Sequence, residues 1–516
     1  MRLLRGLLLA LLAFLFIYPL ARLLSLPLLA AGGGVSGNWL ALGNSVAFAL
    51  VVGAIAAPAG AAMAQALETR SGFAVRALGL VLWLLFLTPG YVLTTGWLII
   101  FTSPAVRNSL FGHWFLGAAG LVFLYSMKAL PFAVFVARAT FAQASTALSE
   151  AALVLGVSPW RRLGLNLRLA LPAMAAAFTI AAIETMQEFG IPATLGVTAK
   201  IPILTYAIYQ RLNTTPTDFT GAALLCWWLI LSAVLLALLQ MAVQRRYQAA
   251  LTHGRARHGA KRAPGRLQYT ALTFTVVLLG GLGIAAPLFA LCGVALSPVP
   301  DMRNLDALAR SLGYGVLAAS LALMVAITVL KLQQGRSFWF AAALQGLLAA
   351  NMAVPGLILG AGYVIAFNND YLPLYGTALL LIIAYTAGAL PVAIRLLGTA
   401  LAQLDSKLSE AARIFALPLA TRAIDIEAAL LIQPGLYAWL LVVAAVMFEL
   451  PVSELLYVPG QMPLGVAIVS ADMMARYGEA ARLALLGMAM LVGLAAVLTA
   501  GLRLLTNWPA EKSVAP

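Results

Sequence analysis

Apolar residues run through this chain in long blocks, separated by short polar stretches that recur at regular depth. A window of about 20 apolar residues is long enough to cross the hydrocarbon core of a bilayer. Such windows fall near 7–25, 39–65, 73–101, 115–138, 170–190 and 219–243, then 269–296, 307–331, 338–367, 372–398, 432–456 and 480–505. The pattern predicts about twelve transmembrane helices, since a sheet edge leaves backbone groups unsatisfied in lipid. Segment 244–268 is rich in Arg and Gly and poor in large apolar residues, so it reads as a solvated linker. It divides the chain into a first half, 1–243 with core 39–243, and a second half, 269–516 with core 306–505.

The polar interruptions repeat. Leu148-Ser149-Glu150-Ala151-Ala152 returns as Leu408-Ser409-Glu410-Ala411-Ala412, 260 positions later. Ala129-Leu130-Pro131 matches Ala389-Leu390-Pro391 at the same offset, as does Ala142-Gln143 with Ala402-Gln403. Upstream, Pro89-Gly90 matches Pro355-Gly356 and Gly96-Trp97 matches Gly362-Tyr363, now at an offset of 266. The first half therefore holds six extra residues between these landmarks, placed in the external loop around Ser103–His113. Two homologous six-helix halves keep the same orientation in the membrane, with an axis along its normal, and a path between them is the natural architecture.

Composition agrees with the pattern. Hydrophobic residues make up 63% of the 516 and charged residues 9%, with a mean hydropathy of +0.97. A soluble domain carries roughly a quarter charged residues. The formal net charge of +15 raises nucleic acid as a partner, and its distribution argues against one. Basic residues concentrate at Arg2 and Arg5, Arg70 and Arg76, Arg161, Arg162 and Arg168, Arg245 through Arg266, and Lys331 and Arg336. These are alternate loops, whereas the opposite loops hold Asp218, Asp301, Asp306, Asp370 and Asp472. That is the positive-inside signature, and it places both termini and the basic linker in the cytoplasm. The apolar stretch from Met1 to about Leu29 reads as an uncleaved first span on the same grounds. Cys226 and Cys292 lie in apolar runs, and His113, His253 and His258 have no ligand spacing, so neither a redox framework nor a metal site is indicated.

In the first repeated loop, Ser145 or Thr146 suits the cap of a short helix and Gly156 suits a left-handed ending. Ser158-Pro159 then fits the cap and first position of a new helix. The small Ala151 and Ala152 let a partner approach closely, and Glu150 offers a carboxylate. A single amphipathic loop of this kind is equally consistent with resting on lipid. Two in register point to a docking element.

The phrase Glu150-Ala151-Ala152, Gly156 and downstream Leu171-Pro172 resembles the EAA loop of permease subunits of binding-protein-dependent ABC importers. The resemblance covers nearly the whole chain as two fused permease domains of the iron(III)/thiamine type. Glu188-Phe189-Gly190 followed by Ile201-Pro202-Ile203-Leu204-Thr205 and Ile208-Tyr209 is similar to phrases of that family, as is Glu449-Leu450-Pro451 with Leu455-Leu456. It implies an all-α type I importer permease fold in a bacterial inner membrane. It also implies that Glu150, Ala151, Ala152 and Gly156, with Glu410, Ala411, Ala412 and Ala416, form two coupling sites for two cytoplasmic ATPase subunits. The second copy departs from the family: Ala416 replaces the glycine, Pro418 follows closely, and Gln433-Pro434 stands for Leu-Pro.

No Gly-x-x-x-x-Gly-Lys-Ser/Thr phosphate loop occurs in the chain, so ATP is expected to be used by a separate subunit and no cofactor in this one. The chain is read as a non-catalytic subunit. The absence of a long soluble stretch between spans implies a separate periplasmic solute-binding protein. A secondary transporter driven by an ion gradient is the alternative, and it has no need of two matched docking loops.

Ionisable residues inside spans mark candidate sites because they are costly there. Lys128 precedes Pro131, Glu184 and Glu188 share one face four residues apart, and Glu449 and Glu454 end a span. Two readings stay open: a polar pore lining with Lys128 paired to Glu184 or Glu188, or an ion pair that fixes helix packing. Pro89 and Pro355 stand as candidate kinks, at a gate or simply in the packing. The transported substrate is not legible from these residues.

Overall fold

The computed structural model describes residues 2–29, 38–142, 154–251, 261, 263–296, 304–333, 338–402, 415, 418 and 429–512. It is all-helical among these residues. Among the described residues, ten helices are long and apolar enough to cross a membrane, and eleven if one sharply bent pair counts as a single span. The chain separates into two compact units.

One unit comprises Pro27–Pro298 together with Ala471–Ala481. After α1 (Arg2–Leu29), which lies mostly in the other unit, its core is α2 (Trp39–Thr69) packed on α7 (Ala118–Ala142) and α8 (Pro159–Gln187). The buried stripe of α2 is small: Ala41, Ser45, Ala49, Gly53, Ala56, Ala57, Gly60, Ala61 and Ala64. Lipid tails are as apolar as side chains, so close backbone approach, not water exclusion, holds such helices together. Between α2 and α7 run α3 (Phe73–Leu87), α4 (Gly90–Phe101) and two short helices, α5 (Pro104–Arg107) and α6 (Leu110–Phe115). After α8 come a π turn (Pro192–Gly196), α9 (Leu204–Asn213), α10 (Phe219–Leu251), α11 (Arg266–Gly280), a second π turn (Gly281–Ala285) and α12 (Ala286–Ala295).

The other unit comprises Met1–Leu26, Val299–Ser470 and Arg482–Pro516. Its core repeats the first: α13 (Asp306–Gln333) packs on α16 (Ala378–Ala402) and α17 (Ala429–Met447), again through small residues such as Ala318, Ala319, Ala322 and Ala326. α14 (Phe338–Ala353) and α15 (Gly356–Phe367) stand where α3 and α4 do, followed later by α18 (Pro451–Leu456), α19 (Leu464–Met473) and α20 (Tyr477–Lys512).

The compact units do not follow the sequence halves at their starts. α1 groups with the second half, and α11 and α12 group with the first. A repeated dipeptide clasps each exchanged helix. Trp97 Nε1 donates to the Leu282 carbonyl at 3.1 Å, and a Cβ on Gly96 would stand 2.5 Å from Pro287 Cβ. Correspondingly, the Tyr363 hydroxyl donates to the Leu15 carbonyl at 3.1 Å, and a Cβ on Gly362 would stand 3.0 Å from the Pro19 oxygen. Glycine is needed at both places because the neighbouring helix leaves no room for a methyl group.

Two expected spans prove to be broken helices. Stretch 73–101 is α3 and α4, bent by 95°. Stretch 338–367 is likewise two helices, α14 and α15. The cause is the proline that starts each second helix: Pro89 and Pro355 lack an N–H and crowd the preceding turn. The expected span 432–456 also stops early, at Met447, where Glu449-Leu450-Pro451 begins the short α18. Two further positions differ from expectation. α10 carries helix through Leu251, into the segment read as linker, and Lys261 Nζ donates to the Leu67 carbonyl near the end of α2 at 2.8 Å. Asp472, assigned from sequence to an external loop, lies in α19 and is only 6% exposed.

Candidate functional site

The breaks gather the ionisable residues. In the first half, α3 ends at Leu87 and leaves its last carbonyls without intrahelical partners. Lys128 on α7 supplies them, its Nζ donating to the Phe86 carbonyl at 3.1 Å and the Thr88 carbonyl at 2.8 Å. A cation at a helix C-terminus is also favoured by the helix dipole. On the other side of the break, α4 begins at Gly90, and a Cβ there would lie 2.5 Å from Glu188 Oε1. The Glu188 carboxylate thus sits against a helix N-terminus, the complementary end.

Glu188 is held by its own near neighbours in the chain. Its Oε1 accepts from the Gly190 N–H at 3.0 Å, and the Ile191 N–H bonds to the same carboxylate. Its backbone carbonyl accepts from Thr205 Oγ1 at 2.9 Å. Glu184 stands one turn earlier on α8, and both carboxylates lie within electrostatic reach of Lys128. The buried Tyr125, one turn before Lys128, is in reach of Glu188. Lys128, Glu184 and Glu188 are each partly exposed. The sequence points only to the carboxylates as partners of Lys128; its two bonds to carbonyls exist because the helix break frees them.

The second half builds the same corner differently. Glu449 Oε1 accepts from the Val452 N–H at 2.7 Å, and Oε2 accepts from the Ser453 N–H at 2.8 Å and the Ser453 hydroxyl at 2.6 Å. Ser453 Oγ and the Tyr385 hydroxyl are 2.6 Å apart. Tyr385 lies 260 positions after Tyr125, a correspondence readable in the sequence but not singled out there. At the position matching Lys128 stands Gly388. The tie between the two helices comes instead from Asn351 on α14, whose Nδ2 donates to the Ala387 carbonyl of α16 at 3.0 Å.

A second missed pair anchors the short helices. The Leu204 N–H donates to Ser45 Oγ at 2.9 Å, and the Leu464 N–H donates to Ser311 Oγ at 2.6 Å. The offsets, 266 for the serines and 260 for the leucines, are those of the repeat.

Of the repeated loops, Glu150, Ala151, Ala152, Glu410, Ala411, Ala412 and Ala416 lie outside the described residues. Gly156 is described and adopts φ +65°, the left-handed ending expected of it. Beside it Val154 and Leu155 are 87% and 78% exposed. Ser158 then precedes α8, with Pro159 at its first position, as expected. Pro131 and Pro172 lie inside α7 and α8.

Comparison with known proteins gives a consistent picture. Residues 56–249 match the family described as binding-protein-dependent transport system inner membrane component. A ferric transport system permease protein of Actinobacillus pleuropneumoniae is 23% identical over 325 residues, 58% of this chain and 46% of that protein. A relative in Haemophilus influenzae, also named for ferric transport, is 25% identical over 46% of this chain and 40% of its own length. A protein of Sinorhizobium fredii named "Probable ABC transporter permease protein" is 25% identical over 73% of this chain and 70% of its own. The chain thus spans less than half the length of the two ferric-named relatives it matches. No solved structure matches. Residues 56–249, which hold the broken helix and its charged cluster, are thus similar to the inner membrane components of binding-protein-dependent transport systems.

Proposed function

We propose that this chain is the permease of an ATP-driven, binding-protein-dependent importer, carrying both halves of the translocation path in one polypeptide. The family match over residues 56–249 carries the reading. The repeated Leu-Ser-Glu-Ala-Ala supports it as a pair of sockets for two separate ATPase subunits on the cytoplasmic side. The binding protein delivers cargo at the opposite face of the inner membrane. The names of two relatives favour ferric iron as that cargo.

The first socket has a direct mechanical route to the charged cluster. Gly156 turns the chain into α8, a single helix of 29 residues that ends one residue before Glu188. At about 1.5 Å per residue such a helix reaches across the membrane. Movement imposed near Glu150 by ATPase closure is transmitted along α8 to Glu184, Glu188 and the α3–α4 break. Lys128, Glu184, Glu188 and Glu449 then line the path, with Pro89 and Pro355 at its gates. ATP shifts the population between closed and open arrangements, without covalent chemistry in this chain.

Co-expression with the cognate ATPase tests this. The expected result is a stable complex that Glu150→Arg weakens about tenfold or more, a loss of about 1.4 kcal/mol or more. Glu410→Arg is expected to weaken it less, because the second loop lacks the glycine. Uptake that follows a proton gradient and ignores ATP would overturn the reading.

A further inference from the structure

The six residues that distinguish the first half from the second build a feature with no counterpart. They fall between α4 and α7, where the chain forms α5 and α6. α6 reads Leu110-Phe-Gly-His-Trp-Phe115, and its two faces differ sharply. Phe115 is buried, its ring stacked on Phe101 at 4.1 Å between centroids and close to Trp97 and Phe123. Gly112 is buried against α5, where a Cβ would meet the Val106 carbonyl oxygen at 2.3 Å. Ser109 caps the helix by accepting from the Gly112 N–H at 3.0 Å. These contacts fix the helix in place, so the opposite face cannot fold back on the protein. That face is Leu110, Phe111 and Trp114, exposed by 90%, 75% and 59%.

We infer that Leu110, Phe111 and Trp114 form an interfacial anchor seated in the headgroup–acyl boundary of the bilayer. The helix joins the ends of two membrane-embedded helices, so its apolar face is continuous with the lipid-facing surface. Tryptophan with neighbouring apolar residues is the composition that settles at this depth. Its rim suits an anionic lipid surface: from Thr102 through Ser149 there is no acidic residue, while Arg107 and His113 flank the face. The corresponding stretch of the second half forms no helix: Asn368-Asn369-Asp370 leads into a turn on which Tyr371 is exposed. There Asn369 Oδ1 accepts from the Tyr371 and Leu372 N–H groups, and Asp370 sits beside Tyr371. The anchor tethers the end of the broken α3–α4 helix of the first half only.

The test uses the full chain in nanodiscs of phosphatidylcholine with a minority of phosphatidylglycerol. Cys292, the exposed native cysteine, is replaced by serine, leaving the buried Cys226. An environment-sensitive fluorophore is placed at Phe111→Cys, at Leu110→Cys and, for comparison, at Tyr371→Cys. At Phe111 and Leu110 the emission shifts to the blue and is lost to lipid spin-labelled near the headgroup, while aqueous iodide has little effect. At Tyr371 iodide quenches and lipid does not. Equal iodide quenching at all three sites overturns the anchor. So does protection of Phe111 and Leu110 that appears only when the solute-binding protein is added, which assigns the face to protein docking. All three sites are exposed, so labelling leaves the core intact, and neither result depends on whether ATP drives transport.

Discussion

The two halves solve one problem with different chemistry. Each contains a helix broken at a Pro-Gly pair and a glutamate beside the break. In the first half a lysine ties α7 to the end of α3, and two carboxylates face it. In the second an amide, Asn351, ties α14 to α16, and Glu449 is satisfied by backbone and Ser453. The fold needs a polar tie at this level, and a neutral one is enough. The first half places a charged group where the second uses a neutral amide.

The comparison breaks most easily at Lys128. Lys128→Met strands two carbonyls and leaves Glu184 and Glu188 facing each other without a cation. The expected loss is about 3 kcal/mol, the low end for removing one partner of a buried charged group, since the cluster is partly open. Asn351→Leu removes one hydrogen bond and is expected to cost about 1 kcal/mol. Thermal unfolding of the two variants in one detergent gives the order. Glu184→Gln added to Lys128→Met should recover part of the loss, because it removes the repulsion that the first change exposed. Equal loss in the two single variants would mean that the lysine is merely another packing tie.

Much of this was legible beforehand, for identifiable reasons. Pro-Gly pairs and the Leu-Ser-Glu-Ala-Ala repeat are local signals, and the chain obeys them at Pro89, Pro355 and Gly156. Lys128, Glu184 and Glu188 stood out because charge is rare in an apolar span. What a hydrophobic block does not encode is its neighbour. Nothing in 7–25 or 269–296 says that α1 packs with the second half, or α11 and α12 with the first, since every lipid-facing helix looks alike in composition. Asn351 was passed over because an amide carries no charge, and the Ser45 and Ser311 contacts because serine is common in such helices. The coupling residues themselves, Glu150 and Glu410 among them, lie outside the described residues.

The exchanged helices offer a finer comparison. Gly96 and Gly362 occupy equivalent places, but a methyl group at Gly96 would stand 2.5 Å from Pro287 Cβ and 2.8 Å from its Cα. At Gly362 the nearest atom, the Pro19 oxygen, is 3.0 Å away. Overpacking of this kind costs about 1–3 kcal/mol, and Gly96→Ala is expected at the upper end with Gly362→Ala at the lower. Relative melting temperatures test the ranking. A reversed order would mean that α12 yields more readily than α1.

The smallest effect separates packing from hydrogen bonding at the same clasp. Tyr363→Phe deletes the hydroxyl that donates to Leu15 and leaves the ring in place against Phe367. The net loss is about 1 kcal/mol, the value of one hydrogen bond. Trp97→Phe deletes the donor to Leu282 and also shrinks a ring that contacts Phe101, Phe115 and Phe123. It should therefore cost more than Tyr363→Phe, by the dispersion and area of the lost ring. Hydrogen exchange locates each loss: faster exchange confined to α1 for Tyr363→Phe, and to α11 and α12 for Trp97→Phe. Were Tyr363→Phe instead to loosen α15 and leave α1 unchanged, the hydroxyl would be stabilising its own helix, and the equivalence of the two clasps would reduce to the glycines alone.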